Sequence, residues 1–343
     1  GDLVVITEIE RETPDFYQTF DTAQAWAFQQ VFETLVTTED GEVVPRLAES
    51  WEASEDGLTT TFTLREGVTF HDGSPLDAAD VVFSLNNTRN EEISDAAGTF
   101  EVITDVTAPD DRTVVVTTSQ PWAPLVPSLG YWAASIVPDG FGGATQEAFF
   151  EAPVGTGPFT WAELQGDGGL VLEKNPDYWQ EGLPYLDSVT YRVAPDANSR
   201  VLQLRAGEGQ VLESVDQDVR TALQGDPTIE VVNFPSTEVT YLIFNHARAP
   251  FDEVPVRKAI LHATNRQAYI DAFSLEASVL AGSFMPPTDP GYTEVEPYAY
   301  DVELARAALA ESSVPNGFAV ELTVPDFQAN LAEAVRQDLA EIG

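Results

Sequence analysis

Few residues in this chain are able to do chemistry, and their spacing excludes most of it. The three histidines stand at 71, 246 and 262. No two of them sit one helical turn apart, the spacing that a pair of metal-binding imidazoles needs. His71 falls in the turn His71-Asp72-Gly73 and His262 inside a helical stretch, where an imidazole packs or caps. His246 follows Phe244-Asn245, at a strand end able to face a cleft. There is no Gly-Xaa-Ser-Xaa-Gly elbow and no phosphate loop ending in Lys-Ser or Lys-Thr. Gly155-Thr156-Gly157 resembles a piece of a dinucleotide loop, but Pro158 follows and no third glycine fits. Cysteine is absent, which removes disulfides, thiolate nucleophiles and Cys-ligated metal. Carboxylate pairs are so frequent that none singles out a glycosidase-type acid and base. The expectation is no catalytic centre, no metal and no cofactor.

The charge balance is the next constraint. Against 57 acidic residues stand 16 basic ones, a formal net charge of −41. Lys174 and Lys258 are the only lysines. Apolar residues make up 43% of the 343, with six Trp, ten Tyr and nineteen Phe, so the chain can build cores and is not an acidic disordered tail. The acids run from Asp2 to Glu341 without blocks, predicting an acidic surface on a folded protein. Like charges about 10 Å apart repel by roughly 0.4 kcal/mol in water. Summed over many pairs, this is comparable with a total stability of about 5–15 kcal/mol. Salt relieves it, since the Debye length falls to about 3 Å at 1 M. The reading is a protein of a high-salt, halophilic and archaeal setting. The same charge repels phosphate backbones and anionic membranes, so nucleic acid is excluded as a partner. No segment reaches the roughly 18–20 apolar residues that span a bilayer.

The elements that would position a site follow from hydrophobic period. Strand-like and helix-like stretches alternate, giving an α/β or α+β class. Residues 23–36 carry Ala27, Val31 and Leu35 at helical spacing. Residues 58–70 alternate about Arg65-Glu66-Gly67 and predict a hairpin. A helix capped by Asp77 runs to Thr88, with Val81, Val82 and Leu85 inward. A second hairpin joins 102–107 to 113–118, and 120–158 is rich in Pro and Gly. Then come strands at 169–173 and 188–193, a helix near 198–206 and an apolar strand at 238–245. Helices opened by Pro255 and Asp301, and one at about 330–342, complete the chain.

Several of these stretches, in this order, resemble the extracellular solute-binding proteins of family 5, the peptide-type receptors of ABC importers. They are Val31-Phe32-Glu33-Thr34-Leu35-Val36; Pro45-Arg46-Leu47-Ala48-Glu49-Ser50-Trp51; residues 61–76, ending Phe70-His71-Asp72-Gly73-Ser74-Pro75-Leu76; and Asp80-Val81-Val82-Phe83-Ser84-Leu85. Val154-Gly155-Thr156-Gly157-Pro158-Phe159, Asn175-Pro176-Asp177-Tyr178-Trp179 and Ala249-Pro250-Phe251 continue the series.

The resemblance implies a binder and not an enzyme, with a periplasmic-binding-protein-like two-lobe fold (type II, cluster C) and a small extra middle domain. Residues 1–34 and 153–248 would form the first lobe, 35–152 the small α+β domain, and 249–343 the N-terminal part of an opposite lobe left incomplete by truncation. A peptide-like ligand, most readily a di- or oligopeptide, would be closed between the lobes and passed to the transmembrane subunits of an ABC permease. The receptor would act as a monomer at the cell surface, tethered through a processed N-terminus outside this sequence. The segment before the first helix (Phe20, Asp21, Thr22, Ala23, Gln24) pairs with ligand backbone in relatives. Tyr241, Asn245 and His246 would line the cleft, and Tyr131, Trp132, Phe284 and Met285 offer aromatic or pliant pocket walls. Arg65-Glu66-Gly67 and His71-Asp72-Gly73 are assigned to the fold. Gln210 stands where relatives often carry an acid, a departure read as bearing on substrate. Three alternatives stay open: a metal chelate (nickel, haem) or oligosaccharide as ligand, a hydrolase on a similar scaffold, and a receptor that signals rather than transports.

Overall fold

The computed structural model describes residues 1–11, 13–19, 22–39, 41–213, 215, 217–232, 238–273, 278–287, 292–325 and 328–343. The chain divides into two compact units, Gly1–Ser214 and Val215–Gly343.

The first unit starts with strand β1 (Asp2–Thr7) and helix α1 (Thr22–Val31), followed by β2 (Val36–Glu39), β3 (Glu42–Pro45), β4 (Ala48–Ala53), β5 (Thr59–Leu64) and α2 (Ala78–Thr88). Strands β6 (Ile103–Asp110) and β7 (Thr113–Thr118) and short helices α3 (Leu125–Ser128) and α4 (Gln146–Glu151) come next. Then follow β8 (Phe159–Leu164), β9 (Leu170–Lys174), β10 (Ser188–Val193), α5 (Ala197–Arg205) and β11 (Val211–Leu212). Among the described residues three sheets result, ordered β11-β1-β10-β9-β8, β2-β3 and β4-β5-β7-β6. β1 runs parallel to both β10 and β11, with Val5 opposite Tyr191 and Val211. Alternation builds the four-stranded sheet: Phe62 and Leu64 of β5 and Val114 and Val116 of β7 point inward, with Phe62 opposite Val114. Burying each such side chain stabilises by about 1.5–3 kcal/mol. α2 opens with a capping box in which Asp77 accepts from Ala79 N–H and Asp80 accepts from Asp77 N–H.

The second unit holds α6 (Gln217–Leu223), α7 (Val254–Ala263), α8 (Arg266–Phe273), α9 (Val302–Ala310) and α10 (Ala329–Ala340). Its core is a cluster of Val256, Ala259, Ile260 and Leu309, flanked by Phe244, Phe251 and Phe318. Pro255 lies in the first turn of α7, and Asp301 caps α9 by accepting from Glu303 and Leu304 N–H.

Three elements differ from the sequence expectation, each for a physical reason. α1 stops at Val31 and not Val36, because the next carbonyls are taken by other segments. Gly157 N–H donates to Val31 O, Ile136 N–H to Glu33 O, and Leu47 N–H to Thr34 O. Val68–Phe70 do not return against β5, whose two edges are already occupied by β4 and β7. They fold instead onto Ser74-Pro75-Leu76. Residues 238–245 form no strand: Leu242 and Phe244 pack on the core while Tyr241 and Ile243 are exposed, but no described segment supplies a ladder.

Candidate functional site

Two constructions in the first unit draw on the residues singled out above: a pocket at the end of β1 and a buried polar junction beneath α1. The pocket has a volume of about 470 Å³ and is lined chiefly by Glu8, Glu10, Thr13, Gln18, Gln24 and Pro195. That size lies within the usual range for small-molecule sites, about 300–1,000 Å³. Its walls are set by chain geometry. Ala194 N–H donates to Thr7 O at 2.7 Å, and Arg11 N–H donates to Gly168 O at 2.8 Å. Behind the wall lies Arg200 of α5, 1% exposed. Its Nη1 donates to the carbonyls of Ala194 (3.1 Å) and Pro195 (2.8 Å), and its Nη2 pairs with Glu8 Oε2 at 2.9 Å. Arg11 is equally buried; it pairs with Glu213 at 3.3 Å and stacks 4.7 Å from the Tyr191 ring centre. Burial pushes the Tyr191 hydroxyl up to about 12; Glu213 adds to this and Arg11 opposes it.

The junction centres on Glu33. Its Oε1 accepts from Arg46 Nε at 2.7 Å and Tyr178 O–H at 2.9 Å, its Oε2 from Thr156 O–H and Trp179 Nε1–H, each at 2.9 Å. Burial, and then the Glu33 charge, raise the Tyr178 hydroxyl above its ordinary value. Arg46 Nη2 also donates to the Tyr178 hydroxyl oxygen (Oη) at 2.8 Å, and Arg65 lies 4.9 Å over the Trp179 ring. Asn175 Nδ2 donates to Gly157 O at 3.0 Å. Most of the stretches that carry the family resemblance therefore meet at one place, and what they make there is a buried brace. Glu33 was the residue that spacing alone left without a role. Its signal was an acid inside the apolar run Val31–Val36.

His71 belongs to the same brace. Gly155 N–H donates to Nδ1 at 3.1 Å, so Nδ1 is the acceptor and the opposite nitrogen carries the proton donated to Gly157 O at 3.0 Å. Burial holds this imidazole below its ordinary value, with the Gly157 carbonyl opposing. An unfolded chain thus binds the proton more readily than the folded one. The stabilisation is complete above the ordinary value of about 6.5 and is lost as pH falls through the lower folded value. Urea midpoints measured downward from neutral pH should fall in the parent more steeply than in His71→Gln. Parallel curves would show that His71 does not titrate in this way.

Of the expected site residues, Gln24 lines the pocket. Phe20 and Asp21 lie outside the described residues, and Thr22 and Ala23 supply the first backbone positions of α1. Tyr131 and Trp132 meet at a tilt of 43° with ring centres 3.9 Å apart on the first unit's core, Trp132 being buried; burial pushes the Tyr131 hydroxyl up to about 12. Tyr241, Asn245, His246, Phe284 and Met285 belong to the second unit. There Tyr241 and Phe284 are exposed, and Asn245 Oδ1 accepts from Ala247 N–H at 3.1 Å. Gln210, whose departure from relatives is read as bearing on substrate, is tied to β1. Its Oε1 accepts from Val4 N–H at 2.8 Å and its own N–H donates to Val4 O. Sequence reasoning missed Glu8, Glu10 and Arg200. Their only signal was a fold-dependent one, the approach of α5 to the end of β1.

Comparison with known proteins gives consistent results. The sequence model of the bacterial extracellular solute-binding proteins, family 5 (middle region), matches residues 42–343. The chain is 33% identical over 356 residues to the dipeptide-binding protein of Escherichia coli strain K12, covering 95% of this chain and 66% of that protein. It is 32% identical over 348 residues to heme-binding protein A of Haemophilus influenzae, covering 92% and 63%. Among solved structures, the periplasmic binding protein DppA from Helicobacter pylori, associated with an ABC transporter and bound to the peptide STSA, superposes with a TM-score of 0.86. That match has 30% identity and covers 100% of this chain and 72% of the other. The chain thus spans about two thirds of the length of the curated relatives it matches. No described helix is long and apolar enough to cross a membrane.

Proposed function

Since the chain belongs to the bacterial extracellular solute-binding proteins of family 5, whose members are binding proteins, we propose that it captures a peptide-like solute for an ABC permease. The observation that carries this reading is the family match over residues 42–343 together with the likeness to the peptide-bound DppA structure, and a polar pocket beside the end of β1 is in keeping with it. Main-chain groups beside it would pair with any extended ligand, because N–H and C=O recur in every residue. We further propose residues 1–34 with 153–248 as one lobe, 35–152 as an inserted domain and 249–343 in the opposite lobe, although the compact units divide at Ser214 and group residues 215–248 with the second. Placement of β1 beside β10 and β11, with β4 to β7 in a sheet of their own, supports that plan. We further infer a monomeric receptor without enzymatic activity or affinity for nucleic acid, held at the cell surface by an anchor. Native mass spectrometry of the protein purified from its own host tests the ligand class. A bound mass equal to a short peptide is expected; a chelate or sugar mass would replace the peptide reading with the alternative ligand classes.

The net charge of −41 supports a halophilic setting, with acidic side chains solvated by brine on a protein outside the cell. Circular dichroism during dialysis from molar to millimolar KCl should show loss of cooperative folding. A chain that keeps its unfolding midpoint without salt does not belong to such a setting.

A further inference from the structure

One wall of the pocket is the stretch 13–19, of which Thr13, Gln18 and Thr19 line the cavity. It belongs to no helix or strand. The residues between those three are buried: Asp15 is 7% exposed, and Phe16 and Tyr17 are fully enclosed. Their partners lie far along the chain, on and around α2 and α4. Gln146, the first residue of α4, donates from Nε2 to Asp15 Oδ2 at 2.9 Å, while Tyr17 N–H donates to Asp15 Oδ1 at 3.0 Å. Asp95 N–H donates to Tyr17 O at 2.8 Å, and the Tyr17 hydroxyl reaches the Ser84 carbonyl of α2. Phe16 meets Phe150 of α4 edge-on, with ring centres 5.5 Å apart. Among the described residues lining the pocket, none belongs to α2 or α4. Asp15 is the sensitive member of this set. Burial raises its carboxyl above the ordinary range, the Gln146 amide and the Tyr17 N–H oppose that, and the Asp95 charge adds to it. Glu147, beside Gln146, is exposed. An uncharged donor at position 146 is therefore what a carboxylate buried here requires.

We propose that Gln146 is a positioning residue for ligand capture: through Asp15 it fixes the Thr13–Thr19 wall of the pocket from a helix outside that pocket. The proposal rests on the reading that a peptide-like solute binds at this pocket. It gives α2 and α4 a part in binding, because a wall that is held in place does not have to be ordered when the ligand arrives. Coupling of this kind is reciprocal, so a ligand resting on the wall also tightens the Tyr17 and Asp95 contacts.

The test uses the whole chain in about 1 M KCl, where long-range repulsion is screened and direct contacts remain. Ala-Ala-Ala is the probe, calorimetry reads its affinity, and amide hydrogen exchange reads the wall. Gln146→Glu keeps the shape of the side chain but sets a second carboxylate against Asp15 Oδ2. At about pH 8 both groups would have to ionise at hydrogen-bond distance in a buried place, which like charges resist. Ala-Ala-Ala should then bind roughly tenfold or more weakly, and the Tyr17 and Asp95 amides should exchange faster by a similar factor. The amides of Val114 and Val116 in β7 should keep their rates. At about pH 5 the two carboxyls share one proton and affinity should return. Adding Asp15→Asn to Gln146→Glu reverses the direction of the hydrogen bond between the same two positions, and should restore affinity and exchange at about pH 8. In the parent, saturating Ala-Ala-Ala should slow exchange at Asp95. Unchanged affinity in Gln146→Glu, no recovery in the double variant, or β7 amides that speed up together with the wall would overturn the positioning role and leave the peptide receptor standing. If the parent does not bind Ala-Ala-Ala, the peptide reading itself fails and this role with it.

Discussion

Glu33→Ala is expected to remove about 3–5 kcal/mol of folding free energy, the usual result of breaking a buried ion pair from one side. On a total of about 5–15 kcal/mol that is enough to unfold much of the chain. Both carboxylate oxygens are in use, by Arg46 Nε and Tyr178 O–H on one and Thr156 O–H and Trp179 Nε1–H on the other. The carboxylate is 1% exposed, so water does not replace it, while the Arg46 side chain at 23% recovers part of its hydration. Glu33→Gln keeps the volume but turns one acceptor into a donor that faces two donors, so it should also cost more than 1 kcal/mol, at the low end of leaving a buried group unsatisfied. A double-mutant cycle with Arg46→Met separates the ion pair from the neutral donors. Urea unfolding in molar salt reads each variant. A Glu33→Gln chain as stable as the parent would remove the brace from this account.

Gly157→Ala should be nearly as damaging for a steric reason. A Cβ there would lie 2.5 Å from Gln30 O and 2.6 Å from Val31 O; at Gly155 it would lie 2.0 Å from Val31 O. These neighbours are main-chain carbonyls at the end of α1, which cannot swing aside as a flexible side chain would. Overpacking a tight site costs about 1–3 kcal/mol and occasionally more, and we expect at least about 3 kcal/mol here because the hydrogen bond from Gly157 N–H to Val31 O is also displaced. Gly98→Ala is the control: nothing lies within 4 Å of its added Cβ, so it should change stability by less than about 0.5 kcal/mol. Equal thermal midpoints for Gly157→Ala and Gly98→Ala would falsify the close-approach argument.

Both effects concern a glycine-threonine-glycine stretch that reads, as a string, like part of a nucleotide loop. In the fold, its small residues let two backbones touch, and Thr156 between them is aimed at Glu33. Chemistry was legible in the chain mostly as exclusion. The absence of cysteine, of a spaced histidine pair and of a nucleophile elbow can be read from composition and spacing alone, because those motifs are local.

What the sequence by itself determined is of the same local kind. Asp77 and Asp80 cap α2 because the groups they satisfy lie two or three residues away. The alternation in β5 and β7, and the Pro255 and Asp301 helix starts, depend only on neighbours along the chain. The ordered motifs also carried the family. Tertiary structure decided everything that depends on a distant partner. Glu33 meets Thr156 and Trp179 across 123 and 146 residues, which no local period encodes. α1 ends where a distant glycine takes its carbonyl, and 68–70 forms no hairpin because β4 and β7 already fill both edges of β5. The pocket exists because Arg200, on a helix nearly two hundred residues downstream, pins Glu8 and Pro195 in place. Side-chain burial and ion pairing are properties of assembled surfaces, so only the folded chain distinguishes Glu8, paired with the buried Arg200, from the other acids in it.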